Sequence, residues 1–347
     1  MAPERFTQPF KARRAEERMA KPRLVVMIPT RNRPGYLALT VKSVLQQARL
    51  YRHDLQIVVS DQSDARQAEH NEKMMRKLQE KYGLPVHYYP PGNLPQLEAL
   101  LKRATPEEKS AFNELVPEDG HWGAHRNRLT LLAAMYGGQR AAYLHLDDDT
   151  PIMQTTFLPT SENREYAKHA LKPNLFEDVL ERFLESYAQA RRKRAPGIYC
   201  PFKGVEDAST SHQTPKILSY GRSYRRAKLA LSLAQPFSSI FQRGYGSGRV
   251  LSFRATAAHY KPRGRNEDLE HTWMVERTFG RDLCKGSVMK IMHIGLKGSE
   301  PPAFSPELDQ AKPPQEPARA WTSLARKAAL NGREILRESA RTRRNAP

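Results

Sequence analysis

Residues Tyr143 to Asp149 read Tyr-Leu-His-Leu-Asp-Asp-Asp, an apolar segment that runs straight into three carboxylates. Adjacent carboxylates repel one another and Asp disfavours strand conformation, so the run costs stability unless a cation sits among the oxygens. A strand ending in acids also places them at the carboxyl end of a sheet. Open α/β proteins bind ligands there, because the strand ends and following loops border the crevice. Hard oxygen donors suit Mg or Mn rather than Zn, and such ions usually serve phosphate groups. The competing reading is a solvated acidic loop after a core strand.

A chain of 347 residues can bury a substantial core, as one large domain or two modest ones. It has no apolar run near the length of a membrane span and no charged-then-apolar start with a small-residue cleavage site. The expectation is a cytoplasmic protein, with peripheral attachment to a membrane or to nucleic acid left open. Cys200 and Cys284 lie far apart without CxxC spacing, so neither a disulfide framework nor a zinc knuckle is indicated.

The net charge of +20 is unevenly spread. Residues 191–265 hold sixteen Lys or Arg against two acids, Glu206 and Asp207, and both tails are basic, while the remainder is close to neutral. Such a segment attracts polyanions, whether nucleic acid, an anionic bilayer or an acidic glycan.

Leu24 to Ile28 is a continuous apolar run bounded by Pro29, as expected of a buried parallel strand. Pro34 can open a helix that runs through Gln47, and Leu55 to Ser60 forms a second strand ending at Asp61. The pattern predicts a helix over 69–83 and a short strand over 87–89. Residues 90–120, with five prolines and a weakly helical middle, read as a variable connection. Arg126 to Met135 reads as a helix closed by Gly137 and Gly138. Further helices are expected over 174–192 and 267–278, and further strands over 198–202 and 250–253. The last 45 residues are expected to add little to the core.

Four stretches, LVVMIPTRNRPGYLALTVKSVLQQ, LQIVVSDQSD, GAHRNRLTLLAAMYGGQRAAYLHLDDDTP and GSGRVLSFRATAAHYKPRGRNEDLEHTWMVERTFG, carry a resemblance by order and spacing. Together they resemble the GT-A glycosyltransferases of the family 2 type over residues 23–295. The family opens with a strand and a Pro-x-x-Asn-Arg turn. An Asp-bearing second strand end, an Ala-Arg-Asn helix, a DxD motif and a late Glu-Asp pair follow. The resemblance implies an α/β fold with a mostly parallel central sheet flanked by helices, here with a basic insertion and basic tails. It divides the chain into a basic arm (1–22), a nucleotide-sugar-binding half (23–150), an acceptor-binding half (151–300, containing the basic insertion 191–265) and a Pro-rich, then basic, tail (301–347).

The implied activity is a metal-dependent, inverting transfer from a nucleotide-sugar, UDP-sugars favoured, to an acceptor hydroxyl, with Mn or Mg as cofactor. Asp147 and Asp149 occupy the DxD positions, with Asp149 the first choice for the metal and Asp148 turned toward the sugar or the sheet. Asp61 is expected on the base or ribose, and Pro29, Thr30 and Asn32 line the same pocket. Arg126 is expected near the diphosphate. Asp268, beside Glu267, matches the general base, and His293 falls where relatives place a third metal ligand. Bland alternatives stay open: a strand-end turn for Asp61, a surface ion pair for Arg126, helix-dipole acids for Glu267 and Asp268, and a satisfied strand histidine for His293.

The chain departs from the pattern at Ser60-Asp61-Gln62-Ser63, where the family carries Asp-Asp-Gly-Ser. His121 and His125 lack the adjacent Glu of a helical zinc pair. The cationic segment leaves two readings open, a polyanionic acceptor (modified DNA or an anionic membrane-surface glycan or lipid) with Arg222, Arg225 and Arg226 on the acceptor face, or a solvated basic surface that aids solubility. The alternative from another class is a nucleic-acid-binding protein on an inactive GT-A fold.

Overall fold

The computed structural model describes residues 22–92, 94–118, 120–154, 172–173, 178–199, 202–204, 249–263, 271, 274–275, 278–279, 284–285, 291–293 and 318–344. In chain order the first half contains β1 (Leu24–Thr30), α1 (Pro34–Tyr51), β2 (Leu55–Asp61), α2 (Ala65–Tyr82), β3 (Val86–Tyr89), α3 (Pro95–Lys102), α4 (Pro106–Leu115), α5 (Trp122–Gly137) and β4 (Ala142–His145). There follow β5 (Met153–Gln154), β6 (Lys172–Pro173), α6 (Val179–Arg192), β7 (Gly197–Tyr199), β8 (Phe202–Gly204), β9 (Arg249–Ser252), α7 (Phe253–Thr256), β10 (Cys284–Lys285), β11 (Ile291–His293) and α8 (Ala318–Arg344).

Seven strands form one sheet in the order β10-β7-β9-β4-β1-β2-β3. β1 pairs parallel with both β2 and β4, β2 with β3, and β7 with β10, while β9 runs antiparallel between β4 and β7. This is the mostly parallel, helix-flanked sheet expected from the apolar strands and their helical connections. All seven residues of β1 are buried, because both faces of the strand are covered. Leu24, Val26 and Ile28 join a core with α1, α2 and α6, whereas Val25 and Met27 join another with α3, α4, α5 and α8. The period-two alternation of a strand divides its side chains between these layers.

Helix ends follow local chemistry. Pro34 opens α1, and Arg52 closes it with a left-handed φ of 58°. Asp64 caps α2 by accepting from the Gln67 N–H at 2.9 Å, and Gly83 (φ 67°) ends it. Residues 90–120 are not a featureless connection. Pro95 and Pro106 each stand at a helix start, where the missing N–H costs nothing, and Thr105 and Glu108 form a capping box on α4. Two of the five prolines, Pro95 and Pro106, thus begin helices.

The expectation for the C-terminal residues is overturned. α8 buries Trp321, Leu324, Ala325, Ala328 and Ile335 in the core it shares with α5. Their spacing is that of one helix face, but Arg and Ala dominate the average composition and conceal it. Gly332 lets the two helices approach closely, since a Cβ there would stand 2.6 and 2.7 Å from the Cα and carbonyl carbon of Met135. Arg103 pairs with Glu334 at 2.7 Å and Glu338 at 3.1 Å, and Lys327 with Glu108 at 2.7 Å, pinning the flanks of α8 to the body.

Candidate active site at the carboxyl end of the sheet

The acid cluster follows β4 directly. The Leu146 N–H still donates to Met27 O at 3.0 Å, after which the Thr150 N–H and Oγ1 donate to Asp147 O at 3.2 and 2.8 Å and turn the chain. Asp148, as buried as Asp149, is tied in at three atoms. Its Oδ2 accepts from Thr30 Oγ1 at 2.7 Å, its carbonyl from Thr40 Oγ1 at 2.6 Å, and its Oδ1 lies 3.5 Å from the Arg33 guanidinium. Asp149 Oδ2 accepts from Arg33 at 3.0 Å, and Asp147 Oδ1 from Arg126 at 2.7 Å. Burial, together with the adjacent charge of Asp149, pushes the Asp148 carboxyl up to about 8. For Arg33, burial opposes the charge, and the carboxylates of Asp148, Asp149 and Asp147 outweigh it and hold its pKa up.

The cluster thus places three carboxyl groups against two guanidinium groups. Carboxylate oxygens are the donors that a hard divalent ion takes. Asp148 is committed to Thr30, so Asp147 and Asp149 on either side of it are the residues that would hold the ion. Arg33 is the cation that an ion would displace from Asp149.

Thr30 and Pro29 lie at the end of β1, Asp61 beside them at the end of β2, and Thr30 is in register with Asp61. Asp61 is fully buried. Its Oδ1 accepts from the Ser63 N–H at 2.6 Å, and its Oδ2 from Asn71 Nδ2 at 2.8 Å and Tyr88 Oη at 2.6 Å. It therefore organises the loop after β2. Asn32, at φ 53°, accepts from the Asp64 N–H at 2.9 Å through its side-chain oxygen, while its own N–H donates to Ser63 Oγ at 2.7 Å. Asn tolerates this left-handed conformation better than most residues, and here it ties the first loop to the second.

α5 is buried almost all round, from Gly123 through Met135, because the sheet covers one side and α8 the other. Its amino end carries the polar residues. Asn127 donates to Leu115 O at 2.9 Å and Tyr260 O at 3.0 Å and accepts from the Tyr260 N–H at 2.6 Å. Tyr260 lies under Arg126, whose guanidinium carbon is 5.8 Å from the ring centroid. Behind it, Tyr260 Oη contacts His145 Nδ1 at 3.0 Å and Arg249 at 3.1 Å. Arg249 also reaches His271 Nδ1 at 3.2 Å. His271 Nε2 donates to Ala258 O at 3.1 Å, which leaves its Nδ1 to accept, so the ring is neutral. Burial, first, and the nearby guanidinium of Arg249 hold His145 and His271 well below the usual histidine range. Arg126 thus rests on a buried aromatic and imidazole platform.

Of the residues expected at the site, Thr30, Arg126 and Asp147 to Asp149 are in direct contact or one residue removed, and Pro29, Asn32 and Asp61 frame the adjoining strand ends. His293 belongs to β11, which pairs with β8 in a separate two-stranded sheet. Glu267, Asp268, Arg222, Arg225 and Arg226 lie outside the described residues. The sequence reading missed Arg33, Thr40, Asn71, Tyr88 and Tyr260. Arg33 was within reach of it, as the final residue of the Pro-Thr-Arg-Asn-Arg turn, whereas the others are visible only once distant segments meet. Among the described residues, His53, Asp178 and Glu181 are the group of three whose ligand atoms lie within 4.8 Å of one another, which Asp147, Asp148 and Asp149 are not. That group is accounted for by Asp178 capping α6, with Oδ1 accepting from the Glu181 N–H at 2.9 Å and lying 2.7 Å from His53 Nε2.

No family model matches the chain, and no curated protein sequence matches it. Among solved structures it is similar to residues 1–349 of S. aureus TarS, at 10% identity and a TM-score of 0.40, over 78% of this chain and 60% of that one. It spans 37% of the longer TarS chain. It is also similar to the mannosyltransferase PcManGT of Pyrobaculum calidifontis, solved with GDP-Man and Mn2+ (11% identity, TM-score 0.39, 96% and 79% covered). A third is glucosyl-3-phosphoglycerate synthase of Mycobacterium tuberculosis, solved with Mg2+ and UDP (14% identity, TM-score 0.39, 86% and 78% covered). All three likenesses are remote.

Proposed function

We propose that this chain is a divalent-metal-dependent glycosyltransferase of the GT-A type that takes its sugar from a nucleotide-sugar. The observation that carries the reading is the meeting of Asp147, Asp148 and Asp149 with Thr30, Arg33 and Arg126 at the carboxyl end of parallel strands. The order of motifs along the chain supports the same reading.

Asp147 and Asp149 would hold Mn or Mg, which when bound supplies positive charge to offset that developing on a departing diphosphate. Arg126, 2.7 Å from Asp147 and seated on Tyr260, is aimed to reach the same diphosphate. Asp61 shapes the base pocket by fixing Ser63, Asn71 and Tyr88. Asp268, with Glu267 beside it, would take the proton of the acceptor hydroxyl as its oxygen displaces the nucleoside diphosphate from the opposite face of the anomeric carbon, a single displacement that inverts the configuration. The basic segment 191–265 suits an anionic acceptor.

Calorimetric titration of UDP and GDP, with and without Mn, tests the metal and donor assignments. Asp149→Ala is expected to abolish the Mn-dependent part of nucleotide binding while leaving the circular dichroism spectrum unchanged. Equal affinity in the variant and the native protein would remove the metal assignment. A hydrolysis screen of UDP-, GDP- and TDP-sugars then identifies the donor.

A further inference from the structure

The outward face of α8 has no part in the site described above. Arg319, Arg326, Arg333, Arg337 and Arg341 are all exposed and recur at intervals of seven, seven, four and four residues, which places them on one side of the helix. From first to last they span about 33 Å at 1.5 Å per residue. Among the described residues none of the five makes an ion pair. The acids of the helix, Glu334 and Glu338, are drawn sideways onto Arg103 at 2.7 and 3.1 Å. Leu330 sits in the middle of the stripe, 66% exposed. The opposite face is fixed in the core by Trp321, Leu324, Ala325, Ala328 and Ile335.

We propose that this face of α8 is a docking surface for an anionic phospholipid bilayer. A straight, one-sided row of guanidinium groups meets a plane of phosphates all at once, whereas along a duplex the phosphate strands wind away from a straight rod. Guanidinium groups pair with phosphate oxygens through two parallel hydrogen bonds. Leu330 favours the bilayer further, because an apolar side chain gains nothing against a phosphate backbone but gains on entering the boundary between headgroups and acyl chains. The buried face cannot turn outward without unpacking the core, so the helix adsorbs flat and does not insert. Each basic residue near an anionic surface contributes about 1 kcal/mol, so the attachment is reversible and salt-sensitive.

The test is co-sedimentation of the full chain with vesicles of phosphatidylcholine alone and of equal parts phosphatidylcholine and phosphatidylglycerol. Binding is expected only to the anionic vesicles. R326S/R333S/R337S should lower the partition coefficient on the order of 100-fold, with melting temperature unchanged because all three side chains are exposed. The comparison variant R66S/K77S/K81S removes an equal charge from the exposed face of α2 and should lose much less. L330S should weaken vesicle binding several-fold while leaving binding to a duplex oligonucleotide unchanged. Native partition in the α8 triple variant, a loss no larger than that of the α2 variant, or vesicle binding indifferent to L330S overturns the proposal. In the last case an equal loss on DNA would make the stripe a nucleic-acid surface. None of these outcomes touches the nucleotide titration on which the transferase reading depends.

Discussion

Replacing Gly332 by alanine sets two effects of known size against each other. In an exposed helix interior the change gains about 1 kcal/mol, because alanine loses less backbone entropy. Here the new Cβ would overlap the Met135 carbonyl oxygen and lie 2.6 and 2.7 Å from its Cα and carbonyl carbon. These are backbone atoms of α5 and cannot swing aside, so α8 must retreat by roughly 1 Å, a gap that forfeits a quarter to a half of each contact well along the interface. That interface includes Trp321, Leu324, Ala325, Ala328 and Ile335. Overpacking of this kind costs about 1–3 kcal/mol, and contact with backbone puts it at the upper end. The net expectation is a loss of about 2 kcal/mol. Urea unfolding should show a midpoint lowered by about 0.5–1 M with an unchanged slope. Gly35 is the internal control: a Cβ there meets nothing within 4 Å, so Gly35→Ala should be neutral or stabilising by up to about 1 kcal/mol. If Gly332→Ala matches Gly35→Ala, α8 is not docked on α5 at this distance.

Arg33→Gln removes the guanidinium that lies 3.0 Å from Asp149 and 3.5 Å from Asp148. It should tighten Mn binding in the absence of nucleotide by about tenfold, since one full charge no longer competes for the same oxygens; calorimetry showing weaker binding would make Arg33 a support for the ion instead. His87, stacked on Tyr136 at 3.7 Å and contacting Gln56 Oε1 at 2.7 Å, is depressed by burial to about 4. The folded state therefore resists protonation that the unfolded chain accepts, so this contribution is complete above about pH 6.5 and is lost as pH falls toward 4, by at most about 3 kcal/mol. His87→Phe keeps the stack and should flatten the fall in unfolding free energy between pH 7 and pH 5. A His87 ring titrating near 6.5 by NMR would refute the assignment.

The sheet was legible because a strand buried on both faces must be continuously apolar. Leu24 to Ile28 and Ile57 to Val59 are such runs, Tyr143 to Leu146 departs from one only at His145, and the polar residues that end each run had to collect at one edge. Thr30, Asp61 and Asp147 to Asp149 were readable for that reason. What surrounds them was not. Arg33 on Asp149, Tyr88 on Asp61 and Tyr260 beneath Arg126 join residues 27 to 134 positions apart, and no local pattern records which distant side chain fills a neighbour's hydrogen-bonding capacity. The helices of residues 90–120 depended on whether Pro95 and Pro106 begin elements or interrupt them, which the capping partners and the packing decide. α8 is the sharpest case. Its arginines and its buried face are both written at helical spacing, but only the approach of Gly332 to Met135 and the burial of Trp321 decided that one face belongs to the core and left the arginines outside. Hydrophobic pattern determines which elements exist, while their partners follow from long-range contacts that pattern alone does not encode.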